Sequence, residues 1–283
     1  MKYLKFLLIM GAMGLVGVLF GLLVAQSSII ETIVPPKDQF NIWTALGIVL
    51  VIFLAIAVHE LGHLLTGLAQ GNKFQLFIVG PLGIKRVKEQ VKVYFNKELG
   101  MYGGVAASSP TRFGEDTANK LAQVLLAGPL SSLIFAIFCF TIGTFLPQPI
   151  KFLVYVMGLI SFMLFLATSL PSRSGIFYSD RKRYQRLKGQ GIGKEVELAI
   201  IQANTLKVMD KSIRAMPEET LNKILQDDSP MFKYLGYYYL YEYHLGNEEK
   251  LFEIREEMDK LSSELPKVLV LQLEQEINNM HSA

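Results

Sequence analysis

Four apolar runs in the first 171 residues constrain the fold more than any other feature of the sequence. They cover residues 6–25, 42–68, 121–146 and 151–171. Each run is close to or longer than the roughly 20 apolar residues that a helix needs to cross the hydrocarbon of a bilayer. The first run is also longer than the apolar region of a cleaved signal peptide, which has about 7–15 residues. The runs therefore predict four membrane-spanning helices, the first of which is retained.

Composition separates this region from the rest of the chain. Hydrophobic residues make up 51% of the sequence, and the excess over an ordinary soluble domain lies in the first 171 residues. The last hundred residues are charged and show helical patterns. We therefore predict a mainly α-helical membrane protein. It has a membrane-embedded domain at 1–188, a glycine-rich linker at 189–193 and a cytosolic helical domain at 194–283.

The connections between the runs differ in their content of basic residues. The loop 26–41 contains only Lys37, and the turn 147–151 contains only Lys151. The segment 69–120 and the residues between the fourth run and position 189 carry fourteen Lys and Arg residues. By the positive-inside rule, both termini and the segment 69–120 of this multi-pass protein face the cytosol. The net charge of +3, without a basic stripe, argues against nucleic acid as a partner.

The segment 73–108 has the alternating pattern of β-strands. VKVYFN at 91–96 alternates apolar and polar residues, and Gly80-Pro81 interrupts a second apolar stretch. We predict a β-rich insert that lies against the membrane, or enters it where protein covers the backbone. In the C-terminal domain, Ser229-Pro230 begins a helix and Pro266 begins another. The tyrosine-rich helix in 232–246 and the helix predicted in 248–261 resemble one tetratricopeptide unit. A small helical bundle is the alternative.

The second apolar run contains the pentad HELGH, residues 59–63. Residues four apart share one face of a helix, so His59 and His63 can bind one Zn²⁺. Glu60 lies beside a ligand, where it can take a proton from a water held at the open position of the metal. This is the HExxH pattern of zinc proteases. It predicts His59 and His63 as metal ligands and Glu60 as the catalytic base.

Polar groups inside a span need an interaction that offsets their cost. A charged side chain at the centre of a membrane helix costs roughly 2.5–3.5 kcal/mol on insertion scales. A metal site accounts for the three polar groups, and the alternative is that neighbouring helices satisfy both histidines. A catalytic zinc site also needs a third protein ligand. Since the two other histidines of the chain, His244 and His281, lie in the C-terminal region, we expect that ligand to be a carboxylate.

The motifs together resemble the site-2 protease family of intramembrane zinc metalloproteases. The resemblance rests on HELGH, on the β-rich segment after it, on AGPLSSLIF at 127–135 and on LPSRSGIFYSDR at 170–181. It implies that Asp180 is the third zinc ligand. Glu115 and Asp116 are the rival carboxylates. The alternative role for Asp180 or Ser179 is to cap the helix that follows.

The chain departs from the family pattern at three positions. Ser132 stands where the family commonly has Asn after the Gly-Pro pair, and Thr168 replaces the Asn before the proline that ends the span. Arg181 follows the aspartate where Gly is usual. The substrate-binding role of those asparagines is therefore not carried over. Ser132 and Thr168 are the candidates to replace them.

These features predict an intramembrane zinc endopeptidase that cleaves a membrane-spanning or membrane-associated protein or peptide. The activity would serve regulated intramembrane proteolysis, or peptide or pheromone processing. The expected partners are the substrate, the lipid bilayer, and a regulatory protein or a second copy of the chain at the C-terminal helices. We also expect the β-rich insert to hold an unwound substrate as an added strand, so that proline substitutions along 91–95 slow cleavage. The alternatives are a protease-like scaffold without activity and a metal transporter or sensor.

Overall fold

The structure is a computed structural model that describes residues 33–87, 90–174, 177–209 and 211–281. The predicted first span, residues 6–25, lies outside these ranges. In chain order the elements are α1 (Ile42–Ala69), β1 (Lys73–Val79), β2 (Leu82–Val87), β3 (Gln90–Phe95), β4 (Val105–Ser109), α2 (Thr117–Gly143), α3 (Ile150–Ser169), β5 (Arg173–Ser174), β6 (Phe177–Tyr178), α4 (Asp180–Lys188), α5 (Ile192–Val208), α6 (Glu218–Ile224), α7 (Pro230–Tyr243), α8 (Glu248–Ser262) and α9 (Lys267–His281).

Three helices in the described part of the chain, α1, α2 and α3, are long and apolar enough to cross a membrane. They correspond to the predicted spans 42–68, 121–146 and 151–171. Helix α2 begins at Thr117, four residues before the apolar run, because the residues Thr117–Lys120 are also helical. It ends at Gly143 because the residues before Pro147 bond to the third preceding carbonyl, as Phe145 does to Ile142, which is a tighter turn than an α-helix.

The described chain divides into two compact units. The first contains the residues up to Ala55 together with Ile134–Ser161. Within this unit, a Cβ atom on Gly47 would overlap the side chain of Leu153, so the glycine permits a close approach between helices. Apolar side chains such as Ile137 are largely exposed, as expected for a surface that contacts lipid.

The second unit contains Ile56–Leu133 and the chain from Phe162 onward. Its larger sheet is antiparallel, with the strand order β3-β2-β1-β4, in agreement with the predicted β-rich insert. Gly80, at a φ of 54°, makes the turn with Pro81 between β1 and β2, since glycine adopts a positive φ without steric cost. Strands β3 and β4 therefore form the two edges of this sheet.

Helices α5 to α9 surround an apolar core in which Tyr234, Tyr239, Met258 and Ile277 are almost completely buried. Helix α7 begins at Pro230, as predicted, because proline suits the first turn of a helix, where its missing N–H would have no partner. The helical character of this region agrees with the sequence analysis, and its likeness to a tetratricopeptide unit stays a prediction.

The connection between α4 and α5 is shorter than the predicted linker 189–193. Helix α4 ends at Lys188, and α5 begins at Ile192. The turn is made by Gly191, which has a φ of 96°. Gly193 therefore already lies in the first turn of α5, so only residues 189–191 connect the two helices.

Candidate metal centre

His59 and His63 lie one turn apart on α1 and are only 5% and 9% exposed. Their Nε2 atoms are 3.3 Å from each other. Asp180, the first residue of α4, completes a triangle, since its Oδ2 atom lies 3.4 Å from each Nε2. The structure thus brings together three ligand atoms from positions 59, 63 and 180.

The size of this triangle fits a tetrahedral metal ion. Nitrogen and oxygen ligands bond to Zn²⁺ at about 2.0–2.2 Å, so neighbouring ligand atoms of a tetrahedral site lie about 3.3–3.6 Å apart. The observed separations of 3.3 Å and 3.4 Å fall in that range. Two imidazoles and one carboxylate also form a ligand set known from catalytic zinc sites, in which water or substrate takes the fourth position. The residues therefore fit a zinc ion.

Asp180 faces the histidines because its neighbour Ser179 caps α4. The Ser179 Oγ accepts a hydrogen bond from the backbone N–H of Lys182 at 3.3 Å and donates to the carbonyl of Leu170 at 2.7 Å. Burial alone would raise the pKa of the Asp180 carboxyl. The neighbouring imidazoles of His59 and His63 outweigh burial and lower that pKa below its usual range. Asp180 is therefore a carboxylate at neutral pH, the form that binds a cation.

The other ring nitrogen of each histidine has a partner on α2. The Nδ1 atom of His63 is 2.7 Å from the carbonyl oxygen of Val124, and the Nδ1 atom of His59 is 2.9 Å from the Oγ of Ser132. Ser132 is fully buried. The sequence left this serine as a candidate to replace a family asparagine, and its observed contact is with a candidate metal ligand. Partners of this kind orient the ligands and increase their basicity.

Helices α1 and α2 approach closely because glycines lie at the crossing. A Cβ atom on Gly128 would overlap the imidazole of His63, and one on Gly62 would overlap Ala127 and Ser131. Any larger residue at position 128 must therefore displace a candidate ligand. This contact gives a physical reason for the glycine of the Gly-Pro pair in the motif AGPLSSLIF.

Pro129 of the same pair lies inside α2. Proline has no N–H, so the carbonyl of Leu125, four residues earlier, receives no hydrogen bond from it. The helix ladder is therefore weaker in this turn. The preceding carbonyl, that of Val124, accepts the bond from His63, so the motif shapes the part of α2 that faces the histidine.

Glu60 is buried next to the β-rich insert. Its side chain is beside Gly104, where a Cβ atom would overlap the Oε1 and Cγ atoms of Glu60. Gly104 directly precedes β4, so the Glu60 carboxylate lies beside the start of this strand. Strand β4 is an edge of its sheet among the described residues, and the candidate base lies beside it. The residues 91–95, where proline substitutions are expected to slow cleavage, belong to β3, the opposite edge of the sheet.

The remaining candidates lie elsewhere. Glu115 and Asp116 are exposed residues ahead of α2, and they are not in the cluster of ligand atoms found among the described residues. The hydroxyl of Thr168 donates to the carbonyl of Leu164 in its own helix at 2.8 Å. The Nε2 of His244 is paired with Glu218 at 3.1 Å.

The sequence model of peptidase family M50 matches residues 47–279, which is most of the chain. The chain belongs to peptidase family M50. This family contains the site-2 proteases, so the resemblance found in the sequence is confirmed. Among curated proteins and solved structures, no match was found.

Membership of the M50 family implies a membrane-embedded metalloprotease. The three apolar helices agree with a membrane protein, and the cluster of His59, His63 and Asp180 agrees with a family that depends on zinc. Two features of this site were missed by reading the sequence: the hydrogen bond between Ser132 and His59, and the close approach of Gly128 to His63. Both depend on the packing of two helices that are far apart in the chain, and only the Gly-Pro pair gave a local signal.

Proposed function

We propose that this protein is an intramembrane zinc endopeptidase that cleaves a membrane-spanning or membrane-associated protein or peptide. The observation that carries the proposal is the triangle of His59 Nε2, His63 Nε2 and Asp180 Oδ2, with separations of 3.3–3.4 Å. The buried carboxylate of Glu60 lies on the same helix, directly after His59. Together these residues provide three ligands and one base.

The residues of the chain have distinct roles in this reaction. His59, His63 and Asp180 would hold the zinc ion, which when bound polarises the substrate carbonyl and makes water easier to deprotonate. Glu60 takes a proton from the water that attacks the carbonyl carbon. It then delivers that proton to the nitrogen of the leaving amine as the carbon–nitrogen bond breaks. The side chain of this base lies beside Gly104, which directly precedes β4.

The substrate must present an unwound peptide bond, because the backbone groups of a helix are already bonded to each other. The position of β4 as an edge strand of the described sheet supports a way to hold the unwound peptide. An extended peptide can add to a sheet edge through main-chain hydrogen bonds. A peptide added to β4 would pass beside Gly104 and Ala106, and hence beside Glu60. This proposal assigns substrate holding to the backbone of the insert rather than to Ser132 and Thr168.

In the cell, this activity would serve regulated intramembrane proteolysis, or the processing of a peptide or pheromone. Both termini would lie in the cytosol, as the distribution of basic residues predicts. A regulatory protein or a second copy of the chain would associate with the C-terminal helices. Fusions of each terminus to a reporter that is active only outside the cytosol test the orientation. Activity of either fusion would contradict it.

A Glu60→Gln variant tests the proposed function. The side chain keeps its size but cannot accept a proton, so we expect zinc to remain bound while cleavage of a co-expressed membrane substrate is lost. Glu115→Gln is the matched control, since it changes an exposed glutamate that is outside the site, and it should keep both properties. Retained cleavage in the Glu60 variant would refute the assigned base.

The same experiment separates the two other functions. If the unmodified protein binds zinc but cleaves none of the candidate substrates, the chain is a protease-like scaffold. If the Glu60→Gln variant still carries metal across the membrane, the chain is a transporter. Zinc content is measured by elemental analysis of the purified protein, and cleavage is followed as the appearance of a shortened substrate.

A further inference from the structure

A buried cluster of ion pairs connects the helix of the third ligand candidate to the C-terminal region. Helix α4 carries Asp180, Arg183 and Arg186. The Nε and Nη2 atoms of Arg183 are 3.1 Å and 3.0 Å from Oε2 of Glu197, and the Nε of Arg186 is 3.1 Å from Oε1 of the same residue. Glu197 belongs to α5 and has no exposed surface. One carboxylate of α5 therefore binds two guanidinium groups of α4.

The cluster is balanced in charge. A buried carboxylate is very costly unless it is paired and hydrogen-bonded, and Glu197 uses both of its oxygens for this purpose. Arg186 also pairs with Asp227, which is almost completely buried. Two cations therefore meet two anions. Among the described residues, Arg183 forms an ion pair with Glu197. Arg186 forms ion pairs with both Glu197 and Asp227.

Arg183 is also a neighbour of the candidate ligand Asp180. Residues three apart on a helix have Cβ atoms about 5–6 Å apart, so their side chains can meet. A guanidinium group that has no other partner pairs readily with a carboxylate, often through two hydrogen bonds. An Arg183 released from Glu197 would therefore have Asp180 within reach. It would compete with a metal ion for the same oxygens.

We propose that Glu197 is a positioning residue of the metal centre, because it holds Arg183 away from Asp180. The Oδ2 atom of Asp180 then remains directed at His59 and His63. This inference rests on the proposed function and extends it, since it gives the C-terminal region a part in zinc binding. The region would then act in the reaction without touching the substrate or the reacting atoms.

The direct test is the affinity for zinc of the full-length protein, measured in detergent by competition with a chromophoric chelator. In Glu197→Gln, the amide cannot balance two guanidinium groups, and Arg183 is free to bind Asp180. We expect the dissociation constant of zinc to rise by about 10–100-fold, the effect typical of a lost outer partner. An unchanged dissociation constant in a folded Glu197→Gln protein would overturn the proposal.

Asp227→Asn is the matched control. It also removes one buried carboxylate from the cluster, but it leaves the pair of Arg183 and Glu197 intact. We expect a loss of thermal stability similar to that of Glu197→Gln, with zinc affinity close to that of the unmodified protein. An equal loss of zinc affinity in both variants would show that the cluster acts only through general stability, and would overturn the proposal.

Variants of Arg183 keep the proposal testable if Glu197→Gln does not fold. Arg183→Gln removes the competing cation and leaves Glu197 paired with Arg186, so zinc affinity should not fall. Where Glu197→Gln does fold, adding Arg183→Gln to it should restore zinc affinity relative to Glu197→Gln alone. If the pair of Arg183 and Glu197 only stabilises the fold, zinc binding should instead be weaker in Arg183→Gln and should not recover in the double variant.

These outcomes are distinguishable from failure of the proposed function. If the unmodified protein binds no zinc and cleaves no substrate, the function itself is refuted. If it binds zinc and cleaves, but Glu197→Gln binds zinc equally well, only the role of Glu197 is refuted. The metal measurement does not depend on knowing the substrate.

Discussion

The Nδ1 atom of His63 lies 2.7 Å from the carbonyl oxygen of Val124. A carbonyl oxygen accepts hydrogen bonds and cannot donate them, so the neutral His63 ring carries its proton on Nδ1. Its Nε2 then has a free lone pair, and this atom faces His59 and Asp180 at 3.3 Å and 3.4 Å. The backbone of α2 therefore selects the tautomer that can bind a metal ion.

Replacing the third ligand should remove the metal. Asp180→Asn keeps the shape of the side chain but removes the charge that attracts a cation. We expect the affinity for zinc to fall by more than about 100-fold, because loss of a direct ligand should exceed the 10–100-fold cost of losing an outer partner. Competition with a chelator measures the change. Asp116→Asn is the control for a rival carboxylate, and equal zinc binding in both variants would contradict the assignment.

The hydroxyl of Ser132 should matter through His59 rather than through the substrate. Ser132→Ala removes the hydrogen bond at 2.9 Å to Nδ1 of His59, so zinc affinity should fall by about 10–100-fold. Ser161→Ala is the control, since Ser161 is equally buried and its hydroxyl has no partner within the described residues. If Ser132→Ala raises only the KM for substrate and leaves zinc affinity unchanged, the serine binds substrate instead.

A methyl group at position 128 should disturb the metal centre. All three nearest atoms to a Cβ on Gly128 belong to the imidazole of His63. Overpacking of this kind costs typically about 1–3 kcal/mol, and here the ligand itself must move. We expect Gly128→Ala to lose zinc and cleavage together. Gly114→Ala serves as the control, because a Cβ at Gly114 meets no atom within 4 Å.

If the substrate adds to β4 as a strand, the effect of substrate N-methylation on the cleavage rate should alternate from one substrate residue to the next. In an added strand, alternate N–H groups point to the sheet edge. A single N-methyl group on a residue whose N–H faces β4 should abolish cleavage. A single N-methyl group on either neighbouring residue, whose N–H points away from β4, should be tolerated. Cleavage rates of a series of singly methylated peptides measure this. A uniform effect along the peptide would argue against strand addition.

The sequence alone was sufficient to predict the elements that have a local cause. HELGH identified one helix face at His59 and His63, because the spacing of four residues is a property of the helix itself. The three described spans followed from apolar length, and the sheet followed from alternation and from Gly80-Pro81. The remaining ligand candidate, Asp180, was found only through family resemblance, because it lies 117 residues beyond His63 and no local pattern connects the two.

The parts of the site that could not be predicted depend on packing between distant elements. Ser132 was a candidate to replace a family asparagine because of its sequence position, and only the structure shows that helix α2 brings it to Nδ1 of His59. The insert was expected near the site, yet only the strand order showed that β4, and not the segment 91–95, lies beside Glu60. No periodicity in the sequence specifies which edge of a sheet faces a helix.

Asp180, Arg183 and Arg186 all belong to one helix of nine residues. An α-helix turns by about 100° for each residue. One inserted or deleted residue between Asp180 and Arg183 would therefore rotate these side chains relative to each other. The helix could then direct Asp180 at the histidines or the two arginines at Glu197, but not both. Homologues of this chain should accordingly vary in length before Ser179 or after Lys188, and keep the interval between positions 180 and 186 free of insertions and deletions.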